Sequence, residues 1–215
     1  MSPTFAETLR SATMPAHETA NHSSFVDALL GGELSVDAFA ALASQLYFVY
    51  SALEETAEYM RTDPVAGKFV FDELTRVPSL RTDMRFYFGP DWESTITPLP
   101  ATDEYCARIR EAGREWSGGF VAHHYTRYLG DIAGGQAIRA KLRNLHNVTG
   151  PGSLFYCFDR IPSAPRFRDN YRELLNTAPW DAQERKGVIL ESVRAYELNV
   201  GIFTALAEKM PAYQL

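Results

Sequence analysis

From Phe120 to Arg139 the chain reads Phe-Val-Ala-His-His-Tyr-Thr-Arg-Tyr-Leu-Gly-Asp-Ile-Ala-Gly-Gly-Gln-Ala-Ile-Arg, with three glycines set inside a helical pattern. Val121, Tyr125, Tyr128 and Ile132 mark an apolar stripe at spacings of three and four. Gly130 and Gly134 are four apart, so on a helix they share one face, a turn apart. A glycine in a helix interior costs about 0.5–1 kcal/mol relative to alanine, so three weaken the segment by roughly 2–3 kcal/mol. Something should therefore need the bare backbone. Spacing alone leaves three readings open: a turn between two shorter helices, a notch for close helix packing, or a helix lying flat against a planar ligand.

The rest of the pattern is helical as well. Phe39, Leu42, Leu46, Val49, Leu53, Ala57 and Met60 recur at threes and fours behind Ser35, a plausible N-cap. Ile189, Val193, Tyr196, Val200, Phe203, Ala207 and Met210 repeat the spacing near the C-terminus. Thr4-Phe-Ala-Glu7 reads as a capping box that opens the first helix. Further helices are expected near 64–74, 78–88, 102–117, 119–145 and 163–176, separated by Gly or Pro at Gly89-Pro90, Pro98, Pro100, Gly150-Pro151-Gly152 and Pro179. Leu154-Phe-Tyr-Cys-Phe158 is the best strand candidate, and it is too short and isolated to build a sheet. The expectation is an all-α, single-domain bundle of about eight helices spanning residues 1–215.

Composition excludes several functions. Net charge is −6 without a dense basic run, so the phosphate-neutralising stripe of a nucleic-acid binder is missing. No stretch approaches the ~18 uninterrupted apolar residues of a membrane span, and no secretory signal is visible, so a cytoplasmic protein with no membrane partner is expected. Cys106 and Cys157 form no Cys-x-x-Cys pair, which fits a reducing compartment and argues against a zinc knot or thioether-attached heme. Aromatics make up 13% of the chain, enough either for a Phe-rich core or for a wall around a large flat ligand.

The histidines narrow the metal chemistry. A di-iron bundle site requires Glu-x-x-His pairs, but the residues three before His17, His22, His123, His124 and His146 are Met14, Thr19, Phe120, Val121 and Arg143. His123 and His124 are neighbours, about 100° apart on a helix, and cannot easily chelate one ion. His17 stands two turns beyond Arg10, roughly 10 Å along a helix. That spacing suits an imidazole at a porphyrin centre and a guanidinium at its rim, and equally an ordinary polar helix surface. Arg127 precedes Asp131 by four, a spacing that allows pairing.

Taken together, these residues resemble the heme oxygenases, particularly the soluble bacterial kind. Val121-Ala-His-His-Tyr-Thr-Arg-Tyr-Leu-Gly-Asp-Ile-Ala-Gly-Gly-Gln136 is similar to that family's distal-helix signature over sixteen residues. The likeness continues through Ala16-His17-Glu18, Tyr50-Ser-Ala-Leu-Glu-Glu55, Phe155-Tyr-Cys-Phe158, Tyr171-Arg-Glu-Leu-Leu-Asn176 and Leu198-Asn199 with Phe203, nearly the whole chain.

The resemblance implies that heme b, both substrate and cofactor, lies between the first helix and the glycine helix. His17 would ligate its iron. Gly130 and Gly134 would let backbone approach the heme and bound O2. Asp131 would organise a distal water network, with Tyr50, Arg127 and Asn199 in support. Arg10, Tyr125, Arg168 and Arg172 would hold the propionates, and Phe155, Phe158 and Phe203 would pack near the ring. Products would be biliverdin, carbon monoxide and ferrous iron. No Gly-x-Gly-x-x-Gly fingerprint is present, so electrons would come from an external reductase or ferredoxin-type donor.

Three positions depart from the family pattern. Asn21 stands four after His17 where a Glu is usual, Pro15 suggests a kink or a fresh helix start, and Arg10 replaces a Lys. Two rivals remain at this level: a non-catalytic heme carrier of the same fold, and a cofactor-free thiaminase II-type enzyme, which would need a cysteine nucleophile in the pocket.

Overall fold

The computed structural model describes residues 2–215. Eight α-helices follow in order: α1 (Phe5–Asn21), α2 (Ser24–Gly31), α3 (Val36–Met60), α4 (Val77–Phe88), α5 (Pro100–Glu115), α6 (Ser117–His146), α7 (Ala164–Thr177) and α8 (Ala182–Ala207). Among the described residues there is no strand, and only two isolated bridges, Leu34–Gln214 and Gly150–Gly152, appear. The architecture is all-α.

Local chemistry sets most boundaries. Thr4 accepts from the Glu7 backbone while Glu7 Oε2 accepts from Thr4 N at 2.8 Å, a complete capping box. α1 then runs without a break through Pro15, so no fresh start occurs there; the carbonyl left without a helical partner belongs to exposed Ser11 and faces water. Ser35 occupies the N-cap position of α3 but makes no side-chain cap bond; its N–H donates to Tyr213 O at 2.7 Å instead.

Two elements differ from the sequence expectation. The expected helix over 64–74 is two 3-10 turns, Ala66–Phe69 and Asp72–Leu74, with extended backbone at Val70 and Phe71. Phe69 packs on Tyr171 (5.2 Å between centroids) and Phe71 on Phe167 (5.0 Å). Residues two apart point about 200° apart on a helix, so both rings can meet α7 only if the chain between them is extended. In compensation α2, which no periodicity announced, is a short helix capped by Ser23 and ended by Gly32 in the left-handed region (φ 82°). The segment Leu154–Tyr156 is a 3-10 turn. Its loop is pinned by Asp83, whose carboxylate accepts from the N–H groups of Gly152, Leu154 and Phe155 at 2.7–3.0 Å.

α6 is the axis of the bundle, packed against α3, α5 and α8, with α1 lying along α8. α3 is long and apolar enough to cross a membrane by length and composition (25 residues, with an 18-residue window of mean hydropathy 1.3), but 67% of that window is buried inside the fold. Here it serves as a core helix.

His124 on α6 is fully enclosed, its Nδ1 2.8 Å from Tyr171 Oη, and burial pushes its pKa down to about 3. The folded protein therefore refuses a proton that the unfolded chain accepts near pH 6.5. Stability should be complete above about pH 6.5 and fall by up to several kcal/mol as pH drops toward about 3. Equilibrium unfolding across that range should show the slope, and His124→Gln should flatten it. An unchanged slope would contradict the assignment.

Candidate functional site

α1, α6, α7 and α8 line one cavity of about 850 Å³, part of it open to solvent. α1 contributes Ala6, Arg10, Thr13, Met14 and His17; Ala6, Arg10, Thr13 or Met14, and His17 follow at steps of three or four, so one face of the helix forms one wall. α6 contributes Tyr125, Leu129, Gly130 and Ala133; α7 contributes Arg168 and Arg172; α8 contributes Tyr196.

The three central glycines of α6 lie in unbroken helix, which removes the turn reading. They divide by surroundings. A Cβ built on Gly130 or Gly134 would meet nothing within 4 Å, whereas one on Gly135 would sit 2.9 Å from the Tyr156 ring. Gly135 is thus a packing notch, and the other two leave backbone facing open space. Opposite lies His17, half-buried, edge-on to Tyr196 (centroids 5.8 Å apart), with Asn21 Nδ2 3.3 Å from its Nδ1 and 3.2 Å from its Nε2.

The rim is cationic. Arg168 Nε is buried with no hydrogen-bond partner. Arg172 pairs only with Asp169 (2.7 Å), a largely exposed contact. Burial raises the Tyr125 pKa, and Thr13, Arg10 and Arg172 partly oppose it.

Behind the groove wall sits a polar network. Asp131 accepts from Tyr50 Oη and from Arg127 Nη2 (3.2 Å to Oδ2), while Arg127 Nη1 donates to Asn199 Oδ1 at 2.6 Å. Burial raises the Asp131 pKa despite the Arg127 charge and the Tyr50 hydrogen bond. Burial also works against the Arg127 charge, but Asp131, Tyr50 and Tyr105 together more than restore it. A carboxyl so placed can hold or exchange a proton close to the bare backbone of Gly130.

Of the residues singled out from sequence, Arg10, His17, Tyr125, Gly130, Arg168 and Arg172 meet in the cavity wall. Tyr50, Arg127, Asp131 and Asn199 form the layer behind it. Phe155 packs on Tyr50 and Tyr156, Phe158 lies under the Arg76 guanidinium at 4.4 Å, and Phe203 packs on the core; none of the three lines the cavity. Thr13, Met14, Leu129, Ala133 and Tyr196 are wall residues that the sequence reading did not name. Helical spacing from His17 marks Thr13 and Met14 and spacing from Tyr125 marks Leu129 and Ala133, whereas Tyr196 lies within an apolar stripe. Cys106 and Cys157 are buried away from the cavity, and burial pushes the Cys106 thiol up to about 11, which leaves the cysteine-nucleophile reading without a nucleophile.

Comparisons with known proteins converge. The family model described as heme oxygenase matches residues 3–205. A heme oxygenase of the red alga Porphyra purpurea is 38% identical over 207 residues, covering 96% of this chain and 88% of the relative. Heme oxygenase 1 of Synechocystis is 34% identical over 206 residues, covering 96% and 86%. The crystal structure of heme oxygenase-1 from Synechocystis in complex with heme superposes with a TM-score of 0.93 at 32% identity, over 98% of this chain and 95% of that one. Heme oxygenase from Leptospira interrogans gives 0.89 at 32% identity, over 94% and 100%.

The glycine environments give a direct expectation. Gly130→Ala and Gly134→Ala should each stabilise the ligand-free protein by about 0.5–1 kcal/mol, since a methyl fits and helix propensity improves. Gly135→Ala should not, because Tyr156 must move. Denaturant titrations of the three variants decide this, and a loss of stability in the Gly130 variant would count against an open backbone face.

Proposed function

The chain belongs to the heme oxygenase family and is an oxidoreductase that degrades heme; from that footing we propose how its own residues hold and orient the substrate. The observation that carries the reading is one cavity with an imidazole on α1, side-chain-free backbone on α6 and three arginines at the rim.

These features fit an iron porphyrin. Gly130 on the cavity wall leaves room for a flat body that a larger side chain would meet, and Gly134, one turn on outside the wall, is likewise free of neighbours. Arg168 has a buried N–H without a partner on the cavity wall, which a ligand carboxylate would satisfy. Heme b, once bound, supplies the iron that activates O2 against its own ring.

The protein's part is positional. His17 would bind iron through a ring nitrogen once the Asn21 amide, now 3.2–3.3 Å from both ring nitrogens, yields one of them, and an imidazole lends less electron push than a thiolate. Arg10, Arg168 and Arg172, with Tyr125, clamp the propionates; because heme is nearly symmetric, their placement selects which ring edge faces the open backbone. The Gly130–Gly134 face keeps acid-base side chains from pointing at the iron. Asp131, tied by Tyr50 and Arg127, holds water and hands on protons from behind the backbone, with Asn199 fixing Arg127. Phe155 supports this layer through Tyr50, while Phe158 packs under Arg76 and Phe203 on the core. Electrons come from an external reductase or ferredoxin-type donor.

Hemin turnover with a reductant and product chromatography tests the whole reading, with biliverdin the expected product and a stable hemin complex the result that would instead indicate a carrier. His17→Ala should abolish turnover while leaving some hemin association; full activity without added imidazole would remove His17 as ligand. Arg172→Leu should alter the biliverdin isomer mixture or weaken hemin binding roughly tenfold, the scale of one lost charge-assisted hydrogen bond. Unaltered product at unaltered affinity would take Arg172 out of the clamp.

A further inference from the structure

Ala6 holds the second position of α1, where a backbone N–H has no acceptor within the helix. The capping box does not serve it, since Thr4 takes the Glu7 N–H and Glu7 takes the Thr4 N–H. Ala6 is buried, and its N–H donates instead to Asn176 Oδ1 at 2.9 Å, at the far end of α7. Among the described residues this is the one side-chain hydrogen bond that joins α1 to α7.

Asn176 belongs to a row. Arg168, Arg172 and Asn176 recur every fourth residue and share one face of α7, as Ala6, Arg10 and Met14 do on α1. Ala6, Arg10 and Arg172 line the main cavity and also a second one outside it, whose other walls are Thr4, Glu7 and Asn176. Met14 and Arg168 line the main cavity alone. The two rows therefore run in opposite directions, and the Asn176–Ala6 bond lies one turn beyond the level of Arg10 and Arg172.

That level carries like charge. Arg10, Arg168 and Arg172 face one cavity whose wall holds no carboxylate among the described residues. Glu7, on the outer cavity, is already committed to Thr4. Repulsion between guanidiniums drives α1 and α7 apart, and the Asn176 bond opposes it at the nearest turn. His17 stands roughly 16 Å further along α1 and packs on Tyr196 of α8, with centroids 5.8 Å apart. α1 is thus tied to α7 at one end and rests on α8 at the other. Loosening the first tie moves Arg10 against Arg172 and spares the imidazole.

We propose that Asn176 is a positioning residue for the arginine clamp. Its bond to the Ala6 N–H sets the span between Arg10 on α1 and Arg168 and Arg172 on α7. That span fixes the grip on the two carboxylates of a porphyrin and selects the ring edge turned toward Gly130. Asn176 acts through the arginines and not on the ring. The clamp rests on the function proposed above; the tie between the helices does not.

Asn176→Leu keeps the side-chain volume and removes the acceptor. In the heme-free full chain, ¹⁵N NMR should show the Ala6 amide exchanging its hydrogen roughly tenfold faster. Hemin and hemin dimethyl ester, whose propionates carry no charge, then separate clamp from scaffold. The Leu variant should bind hemin roughly three- to tenfold more weakly, the scale of one hydrogen bond, and the ester with unchanged affinity. Its hemin complex should keep the imidazole–iron spectrum of the unaltered protein while the biliverdin isomer mixture broadens. In an Arg172→Leu background the same substitution should cost hemin affinity under about twofold, because the two act as one unit. Should the Leu variant fail to fold, Asn176→Ser, polar but too short to reach Ala6, should give the same pattern. Equal losses for hemin and its ester would mark a residue that serves the scaffold alone and would overturn the proposal. So would an Ala6 amide or a hemin preference indifferent to both substitutions. If the unaltered protein binds hemin and the ester alike, the arginine clamp itself fails and this inference falls with it. A preference for hemin that survives loss of the Asn176 amide sinks the inference alone.

Discussion

The bare face of α6 depends on how firmly its other faces are held. Glycines at 130, 134 and 135 take roughly 2–3 kcal/mol from the helix, so it would fray there if left alone. It stays helical because the neighbouring positions are anchored. Tyr128 and Ile132 are buried in the core, Gly135 seats the Tyr156 ring, and Arg127 is tied to Asn199 on α8. Tyr50 on α3 reaches Asp131 from another direction. Tertiary packing replaces the lost propensity, so one side of the helix can remain stripped. The same anchors carry the ionisable groups, and the scaffold of the groove and its chemistry are therefore one set of contacts.

Much of this was legible in sequence because helical spacing turns directly into faces. Arg10 and His17, two turns apart, do line one wall, and the capping box at Thr4 and Glu7 forms as its residue pattern requires. The glycines were ambiguous by spacing, and only their neighbours separate them: Gly130 and Gly134 face open space while Gly135 faces Tyr156. No single-sequence rule distinguishes those cases, since the difference lies in another segment of the chain.

The failures have a common physical cause. Residues 64–74 carry enough apolar positions for a helix, yet Phe69 and Phe71 both serve α7, and a shared target two residues apart demands extended backbone. α2 is only eight residues long, too short for periodicity to declare itself, and is fixed by its Ser23 cap and Gly32 end. Tertiary demands overrode local pattern in both cases. Phe155, Phe158 and Phe203, named through the family resemblance, lie off the cavity wall, the first two on a loop drawn toward Asp83 and Arg76 by backbone hydrogen bonds.

Charge placement adds a constraint that composition conceals. The chain carries a net charge of −6, yet the groove gathers Arg10, Arg168 and Arg172 at one rim, and its carboxylate, Asp131, is set back and neutralised by Arg127. The local field at the mouth is therefore opposite in sign to the protein as a whole. Low-dielectric walls focus such a field, so it would draw a dicarboxylate ligand in edge first, with its apolar body toward Leu129, Gly130 and Ala133. On the proposed reading, carboxylates would meet arginine before a ring meets backbone. It also explains why the acid sits behind the helix. A carboxylate on the groove surface would repel the ligand's own charges, while one held by Tyr50 and Arg127 can serve the site without opposing entry.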